Sequence, residues 1–109
     1  MKIGIEAIAF HGPEHYIELA DLAKARSVDP DKYAKGLGQI RMAVATPMED
    51  TVTLAVNAAL KALKNFDIDY NDIGTLVVGT ESGVDHSKPV AVYVHKALGL
   101  RSNCHTYET

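Results

Sequence analysis

Leu76-Val77-Val78-Gly79-Thr80-Glu81-Ser82 is a short apolar run that ends in a glycine and three polar side chains. Runs of this kind, bounded by turn-forming residues, are typical of buried strands. Pro89 opens a helical pattern a few residues later. In an open α/β sheet, ligands bind outside the carboxyl ends of the strands. Glu81 is therefore a candidate for chemistry.

The segments around this run alternate between helix and strand patterns. Thr46-Pro47-Met48-Glu49 has the letters of a capping box with proline at the first helical position, so we expect a helix to begin there. Its apolar positions recur at helical spacing: Val52, Ala55, Val56, Ala59, Leu60 and Leu63. A further helix is expected from about Ser87-Lys88-Pro89 to Gly99, because glycine commonly ends a helix.

The remaining segments supply the other predicted elements. The alternation of apolar and polar residues predicts a strand over residues 2–10, and helical spacing predicts a helix over about 15–26. A helical turn is expected over 31–36 and a short extended piece over 42–44, and strands are expected over 75–80 and 104–109. Strands separated by helices favour a mostly parallel α/β sheet. Three main strands are too few to cover the helices.

Composition and charge narrow the class of protein. The chain has 109 residues, of which 47% are hydrophobic and 23% charged, and a formal net charge of -3, all of which are typical of one globular domain. No basic cluster predicts nucleic-acid binding. We find neither a secretory signal nor an apolar run of about 18 residues, so we expect a cytoplasmic protein without a membrane partner.

Cysteine and histidine patterns limit the chemistry further. A single cysteine, Cys104, excludes an internal disulfide and a thiolate-rich zinc site. The five histidines show none of the spacings typical of metal sites, so no metal is expected. Asp85-His86-Ser87 has the letters of a hydrolase triad, but consecutive residues cannot place three side chains in relay geometry.

Several short motifs along the chain form a recognisable set: Val28-Asp29-Pro30-Asp31-Lys32-Tyr33, Gly36-Leu37-Gly38-Gln39, Met42, Glu49-Asp50 and the run from Val78 to Lys88. Together they resemble the amino-terminal part of hydroxymethylglutaryl-CoA synthase. The likeness is collinear from about Ile3 to the last residue. It implies the amino-terminal portion of a thiolase-like fold with layered α/β/α/β/α architecture. Residues 1–109 would be a partial domain, with the rest of that domain and the carboxyl-terminal half absent, and the complete enzyme would be a homodimer.

The resemblance also implies a reaction and a role for Glu81. This family condenses acetyl-CoA with acetoacetyl-CoA and water to give hydroxymethylglutaryl-CoA and CoA, an early step of the mevalonate route. Glu81 stands at the position of the family's general acid/base, which removes a methyl proton from an acetylated cysteine and protonates the new alkoxide. We expect it to be largely buried at the end of a central strand. The residues alone leave two alternatives, in which Glu81 caps the next helix or pairs with Lys88.

The same resemblance implies a place for the substrate. Asp29 and Pro30 would lie near the nucleotide end of CoA, and Lys32 would be available to a phosphate group. The alternative for this segment is a solvated turn between helices. The implied substrates are CoA thioesters, with no further cofactor and no metal.

Two catalytic groups of the family are expected outside this chain. The nucleophilic cysteine should lie a few positions after Thr109, and the catalytic histidine in a much later segment. Cys104 is then expected to be a small hydrophobic residue in a strand.

Two other functions remain open at this point. One is a related synthase of polyketide pathways, which acts on an acyl carrier protein; the loop Gly36-Leu37-Gly38-Gln39 favours the CoA enzyme over it. The other is a non-catalytic, half-length protein that binds CoA or a partner subunit.

Overall fold

The computed structural model describes residues 3–109, which form two compact units. The first unit contains residues 3–11 and Glu49–Thr109, and the second contains Gly12–Met48. The elements in chain order are β1 (His15–Glu18), α1 (Leu19–Ala25), a π-helical segment (Lys32–Leu37), β2 (Arg41–Val44), α2 (Thr51–Asn65), a 3-10 turn (Tyr70–Asp72), β3 (Thr75–Val78), α3 (Val90–Leu98) and β4 (His105–Glu108).

The core of the first unit lies between a parallel strand pair and two helices. β3 and β4 pair in parallel, with Thr75 opposite His105 and Val78 opposite Glu108. α3 contacts both strands, and α2 packs on α3. The buried members of this core are Val78, Val90, Ala91, Val94, Leu98, Leu100 and Cys104. The periodic face of α2 packs against them, as its spacing predicts.

The other face of the strand pair is open. Side chains alternate between the two faces of a strand, and Val77 and Tyr107, which are paired in register, are 58% and 57% exposed. Within residues 3–109 the pair is therefore covered on the helix side only.

The helix ends show which residues act as caps. α2 begins after Asp50, whose carboxylate accepts a hydrogen bond from the Thr53 N–H at 2.7 Å. The Thr53 hydroxyl accepts one from the Asp50 N–H at 2.7 Å. The predicted start at Thr46 is wrong. The reciprocal pair of hydrogen bonds makes Asp50, four residues later, the cap residue, because it provides partners for N–H groups that have none within the helix. α3 ends at Gly99 with φ of 66°, as predicted, since glycine adopts the left-handed region without a Cβ clash.

In the second unit, a strand replaces part of a predicted helix. We expected a helix over 15–26, but its first four residues form β1, which pairs antiparallel with β2. Arg41 binds Glu18 across the pair at 2.7 Å, and its guanidinium lies 4.4 Å from the centre of the Tyr16 ring. Such cross-strand contacts stabilise a sheet and override local helical spacing. The helix itself, α1, ends before Val28-Asp29-Pro30, as predicted.

The predicted sheet needs correction as well. Residues 3–10 form no strand, and residue 2 lies outside the described residues. A strand needs a neighbour for its backbone hydrogen bonds, and in the described part of the chain this segment has none. Residues 3–109 thus contain two separate strand pairs, of which only β3–β4 is parallel, and they form no single mostly parallel sheet. The α/β class is confirmed.

Candidate functional site

The loop between β3 and α3 forms one wall of an open cavity. β3 ends at Val78, two residues before the predicted end, although the ladder continues when Thr80 N–H donates to Thr109 O at 3.0 Å. The cavity has a volume of about 440 Å³. Its lining residues are Thr80, Glu81, Gly83, Asp85, His86, Ser87, Lys88, Pro89 and Glu108. Glu81 therefore lies beyond the carboxyl end of β3, where the sequence predicts a ligand site.

The Glu81 side chain is exposed, and β3 pairs only with β4 within residues 3–109. The prediction that Glu81 is largely buried at the end of a central strand is therefore wrong for this part of the chain. Glu81 is exposed because the cavity is lined only by the loop after β3 and by Glu108 at the end of β4, so no further element covers the Glu81 side chain. Its acid/base role stays a prediction.

The two structural alternatives for Glu81 do not hold. Among residues 3–109, Glu81 forms no ion pair with Lys88. It does not cap α3 either, because the Val90 N–H at the start of that helix donates to the Glu108 carboxylate. The carboxylate of Glu81 is thus left available at the cavity wall.

Asp85 ties the loop to α3. Its Oδ1 accepts hydrogen bonds from the Ser87 N–H at 2.8 Å and the Ser87 hydroxyl at 2.7 Å. Its Oδ2 accepts one from the Tyr93 hydroxyl at 2.5 Å. Ser87 binds Asp85 directly, so the imidazole of His86 does not stand between them and the hydrolase arrangement is excluded.

These contacts change two pKa values. The hydrogen bond from Tyr93, supported by those from Ser87, lowers the pKa of Asp85 to about 2. The same bond raises the pKa of Tyr93. A carboxyl group whose folded pKa is depressed stabilises the fold above its unfolded pKa of about 3.9. That contribution is lost as the pH falls from there through about 2.

We expect Tyr93→Phe to raise the pKa of Asp85, because the largest cause of its depression is then removed. An NMR titration of the Asp85 carboxyl carbon should show the midpoint moving from about 2 toward the ordinary value of about 3.9. Tyr107→Phe, on the exposed face of β4, is the matched control and should leave the midpoint unchanged. An unchanged midpoint in Tyr93→Phe would contradict this account of the loop.

The second unit contains the other predicted site residues. Asp29 Oδ1 accepts a hydrogen bond from the Asp31 N–H at 2.9 Å, and Asp29 O accepts one from the Lys32 N–H at 3.1 Å. Pro30 O accepts hydrogen bonds from the next turn. Asp29, Pro30 and Lys32 are all exposed, which fits both contact with CoA and a solvated turn. Their contact with substrate stays a prediction, and Glu81 belongs to the other unit.

We also searched the described residues for a metal site, a membrane-spanning helix and an exposed thiol. In residues 3–109 no group of three or more His, Cys, Asp or Glu side chains could hold a metal ion. No helix in the same range is long and apolar enough to cross a membrane. Cys104 is buried in the core, as expected for a small hydrophobic residue, but it lies just before β4 and not in the strand as predicted.

A parallel strand pair packed on helices, with a cavity beyond its carboxyl ends, defines this chain as part of an α/β protein. The cavity lies where open α/β sheets commonly bind ligands. The family model for the hydroxymethylglutaryl-coenzyme A synthase N terminal matches residues 1–106. The chain belongs to the hydroxymethylglutaryl-CoA synthase family.

Individual relatives agree with the family match. The chain is 43% identical over 108 residues to hydroxymethylglutaryl-CoA synthase of Enterococcus faecalis, covering 99% of this chain and 28% of the relative. It is 38% identical over 111 residues to the polyketide biosynthesis 3-hydroxy-3-methylglutaryl-ACP synthase PksG of Bacillus subtilis, covering 99% of this chain and 26% of the relative. The chain thus spans about a quarter of the length of these relatives.

Solved structures show the same fold. MvaS in complex with 3-hydroxy-3-methylglutaryl coenzyme A matches with a TM-score of 0.88 and 52% identity over 100% of this chain and 27% of that one. An HMG-CoA synthase complexed with CoA matches with a TM-score of 0.86 and 38% identity, covering 100% of this chain and 28% of that one. The predicted amino-terminal portion of a thiolase-like fold is confirmed.

Proposed function

We propose that this chain is the amino-terminal part of an enzyme that condenses acetyl-CoA with acetoacetyl-CoA and water to hydroxymethylglutaryl-CoA and CoA, in the mevalonate route. The observation that carries this proposal is the position of Glu81 at the wall of the cavity beyond β3, where its carboxylate binds neither Lys88 nor α3. Family membership along the whole chain supports it.

In this proposal, Glu81 moves a proton twice. An acetyl group is first carried as a thioester on a cysteine beyond Thr109. The Glu81 carboxylate takes a proton from the acetyl methyl group, and the resulting carbanion attacks the ketone carbon of acetoacetyl-CoA. Glu81 then returns the proton to the new alkoxide, and water hydrolyses the thioester to free the cysteine. A carboxyl group within reach of both atoms can serve as base and then as acid.

Asp29, Pro30 and Lys32 are proposed to contact the CoA part of the substrate. Their exposed positions at the start of the π-helical segment leave the Lys32 ammonium group accessible to a phosphate. The solved complexes with CoA and with 3-hydroxy-3-methylglutaryl coenzyme A support binding of a CoA thioester. We further propose a cytoplasmic homodimer that requires no other cofactor and no nucleic-acid or membrane partner.

The test uses a full-length enzyme, meaning a synthase of the family's length whose first 109 residues are this chain. It is obtained from the chain's own gene or by exchanging the matching segment of the Enterococcus faecalis relative. Condensation is assayed with acetyl-CoA and acetoacetyl-CoA, and in parallel with the same acyl groups on an acyl carrier protein. Turnover with the free CoA thioesters supports the proposal.

A second candidate is the polyketide-pathway enzyme, favoured by the similarity to PksG. Turnover with carrier-bound groups alone would support it over the CoA enzyme. A third, the half-length binding protein, is tested by reading the gene beyond codon 109. A stop codon there would favour it, whereas an open frame that continues into an Ala-Cys motif would contradict it.

We expect Lys32→Ala to raise the KM for acetyl-CoA in the full-length enzyme by about 2- to 5-fold, the worth of an exposed ion pair. kcat should stay unchanged, because a remote phosphate contact is made equally in the ground and transition states. Lys24→Ala, also an exposed lysine of the second unit, is the control. An unchanged KM for both substrates in Lys32→Ala would favour the alternative, in which this segment is a solvated turn without contact to substrate.

A further inference from the structure

Glu108 is a residue of the cavity that the sequence motifs leave without a role. It ends β4, lies opposite Val78 in the parallel register and lines the same cavity as Glu81. Its carboxylate accepts a hydrogen bond from the Val90 N–H, which lies 18 residues earlier in the chain. Glu108 thus joins the end of a strand to the beginning of a helix.

α3 depends on this contact at its first turn. Pro89 occupies the cap position and provides no side-chain hydrogen bond. The first N–H groups of a helix have no partner within the helix, and a negative charge near them is favourable. Glu108, at the end of β4, supplies the hydrogen-bond acceptor that Pro89 cannot provide at the start of α3.

The loop that carries Glu81 is therefore held to β4 at both of its ends. At its beginning, Thr80 N–H donates to Thr109 O at 3.0 Å, and Thr109 N–H donates to Val78 O at 3.1 Å. At its end, Glu108 holds Val90 directly after Pro89. The first attachment uses backbone atoms only, so it does not depend on the Glu108 side chain.

We propose that Glu108 is a positioning residue, which locks the start of α3 to the end of β4 and thereby holds the loop with Glu81 in place over the site. The proposal rests on the acid/base role of Glu81. Loss of the Glu108 carboxylate releases the beginning of α3 from β4. The loop shifts with α3, because Asp85 ties it to Tyr93 of that helix, while the backbone ladder keeps β4 in position. A displacement of about 1 Å at a reacting group can cost about 100-fold in rate.

The experiment compares Glu108→Ala, Glu108→Gln and the control Tyr107→Phe in the full-length enzyme. Glutamine keeps an acceptor oxygen of the same reach, whereas alanine removes it. We expect Glu108→Ala to lower kcat for condensation by about 10- to 100-fold, with Glu108→Gln restoring most of the rate. Acetylation of the catalytic cysteine by acetyl-CoA should be unchanged in both, because that step does not use Glu81.

Hydrogen exchange gives a second readout that does not depend on activity. The amides of Val90 and Ala91 should exchange faster in Glu108→Ala and at the original rate in Glu108→Gln. If Glu108→Ala does not fold, Glu108→Asp, whose shorter side chain falls short of Val90, takes its place.

Three results would overturn the proposal. They are a Glu108→Ala enzyme that is less stable but keeps its condensation rate, a Glu108→Gln enzyme as impaired as Glu108→Ala, and unchanged exchange at Val90. An unmodified enzyme that is inactive with both CoA and carrier substrates would overturn the proposed function instead, and the exchange rates would still decide whether Glu108 anchors α3.

Discussion

Glu81→Ala in the full-length enzyme is expected to lower the rate of condensation by about 100- to 10,000-fold, the usual contribution of a positioned acid/base group. The protein should stay folded, because the Glu81 side chain is exposed and carries neither a helix cap nor the Lys88 ion pair in the part of the chain that the structure describes. Acetylation of the catalytic cysteine should continue, since it precedes proton removal from the methyl group.

The measurement separates the two steps. Radiolabelled acetyl-CoA reports cysteine acetylation, and formation of hydroxymethylglutaryl-CoA reports condensation. Glu81→Gln keeps the size of the side chain but cannot transfer the proton, so it should match Glu81→Ala. Glu14→Ala, an exposed glutamate of the second unit, is the control and should leave both steps unchanged. Near-normal condensation by Glu81→Ala would remove Glu81 from the mechanism.

The 109-residue chain by itself is expected to be inactive and to associate. Among the described residues 3–109, β3 and β4 are covered on one face only, and Val77 and Tyr107 lie exposed on the other. The segment before α2 adds further exposed apolar side chains, namely Ile3, Ile5, Ile8 and Phe10. Contiguous apolar patches and open strand edges favour association between chains. Catalysis should be absent because Cys104, its single cysteine, is buried in the core.

Light scattering coupled to size exclusion should show oligomers of the purified chain, and incubation with radiolabelled acetyl-CoA should leave it unlabelled. Val77→Thr combined with Tyr107→Thr keeps the preference for a strand but removes apolar surface, so this variant should associate less. A monodisperse monomer with a stable acetyl group on Cys104 would contradict both parts and make Cys104 the nucleophile.

The helices of the first unit could be predicted because their signals are local. The spacing of apolar residues from Val52 to Leu63 requires only that one face be buried, and α2 buries that face against α3. Gly99 ends α3 because of its own backbone freedom. The parallel pairing of β3 and β4 also followed from the order of elements, since a helix separates them.

The strands of the other segments could not be predicted in the same way. The alternation over residues 3 to 10 describes a segment with two different faces, but only a neighbouring strand would make it a strand, and the described residues provide none. His15–Glu18 forms β1 because Arg41, 23 residues after Glu18, binds across the pair. Because Arg41 lies 23 residues away, its contact with Glu18 does not affect the spacing of apolar residues within 15–26, and that spacing could not predict the strand.

At the candidate site, too, features set by neighbouring residues could be predicted from the sequence, and contacts between distant elements could not. Local sequence features predict that Glu81 follows a strand and precedes a helix, since a short apolar run, a glycine and a proline mark those boundaries within a few residues. The packing of distant elements, in contrast, sets the exposure of Glu81, the hydrogen bond between Asp85 and Tyr93 and the one between Glu108 and the first N–H of α3. Burial and capping between distant elements depend on how the strands and helices pack, and packing brings together residues whose separation along the chain carries no information about their distance in space.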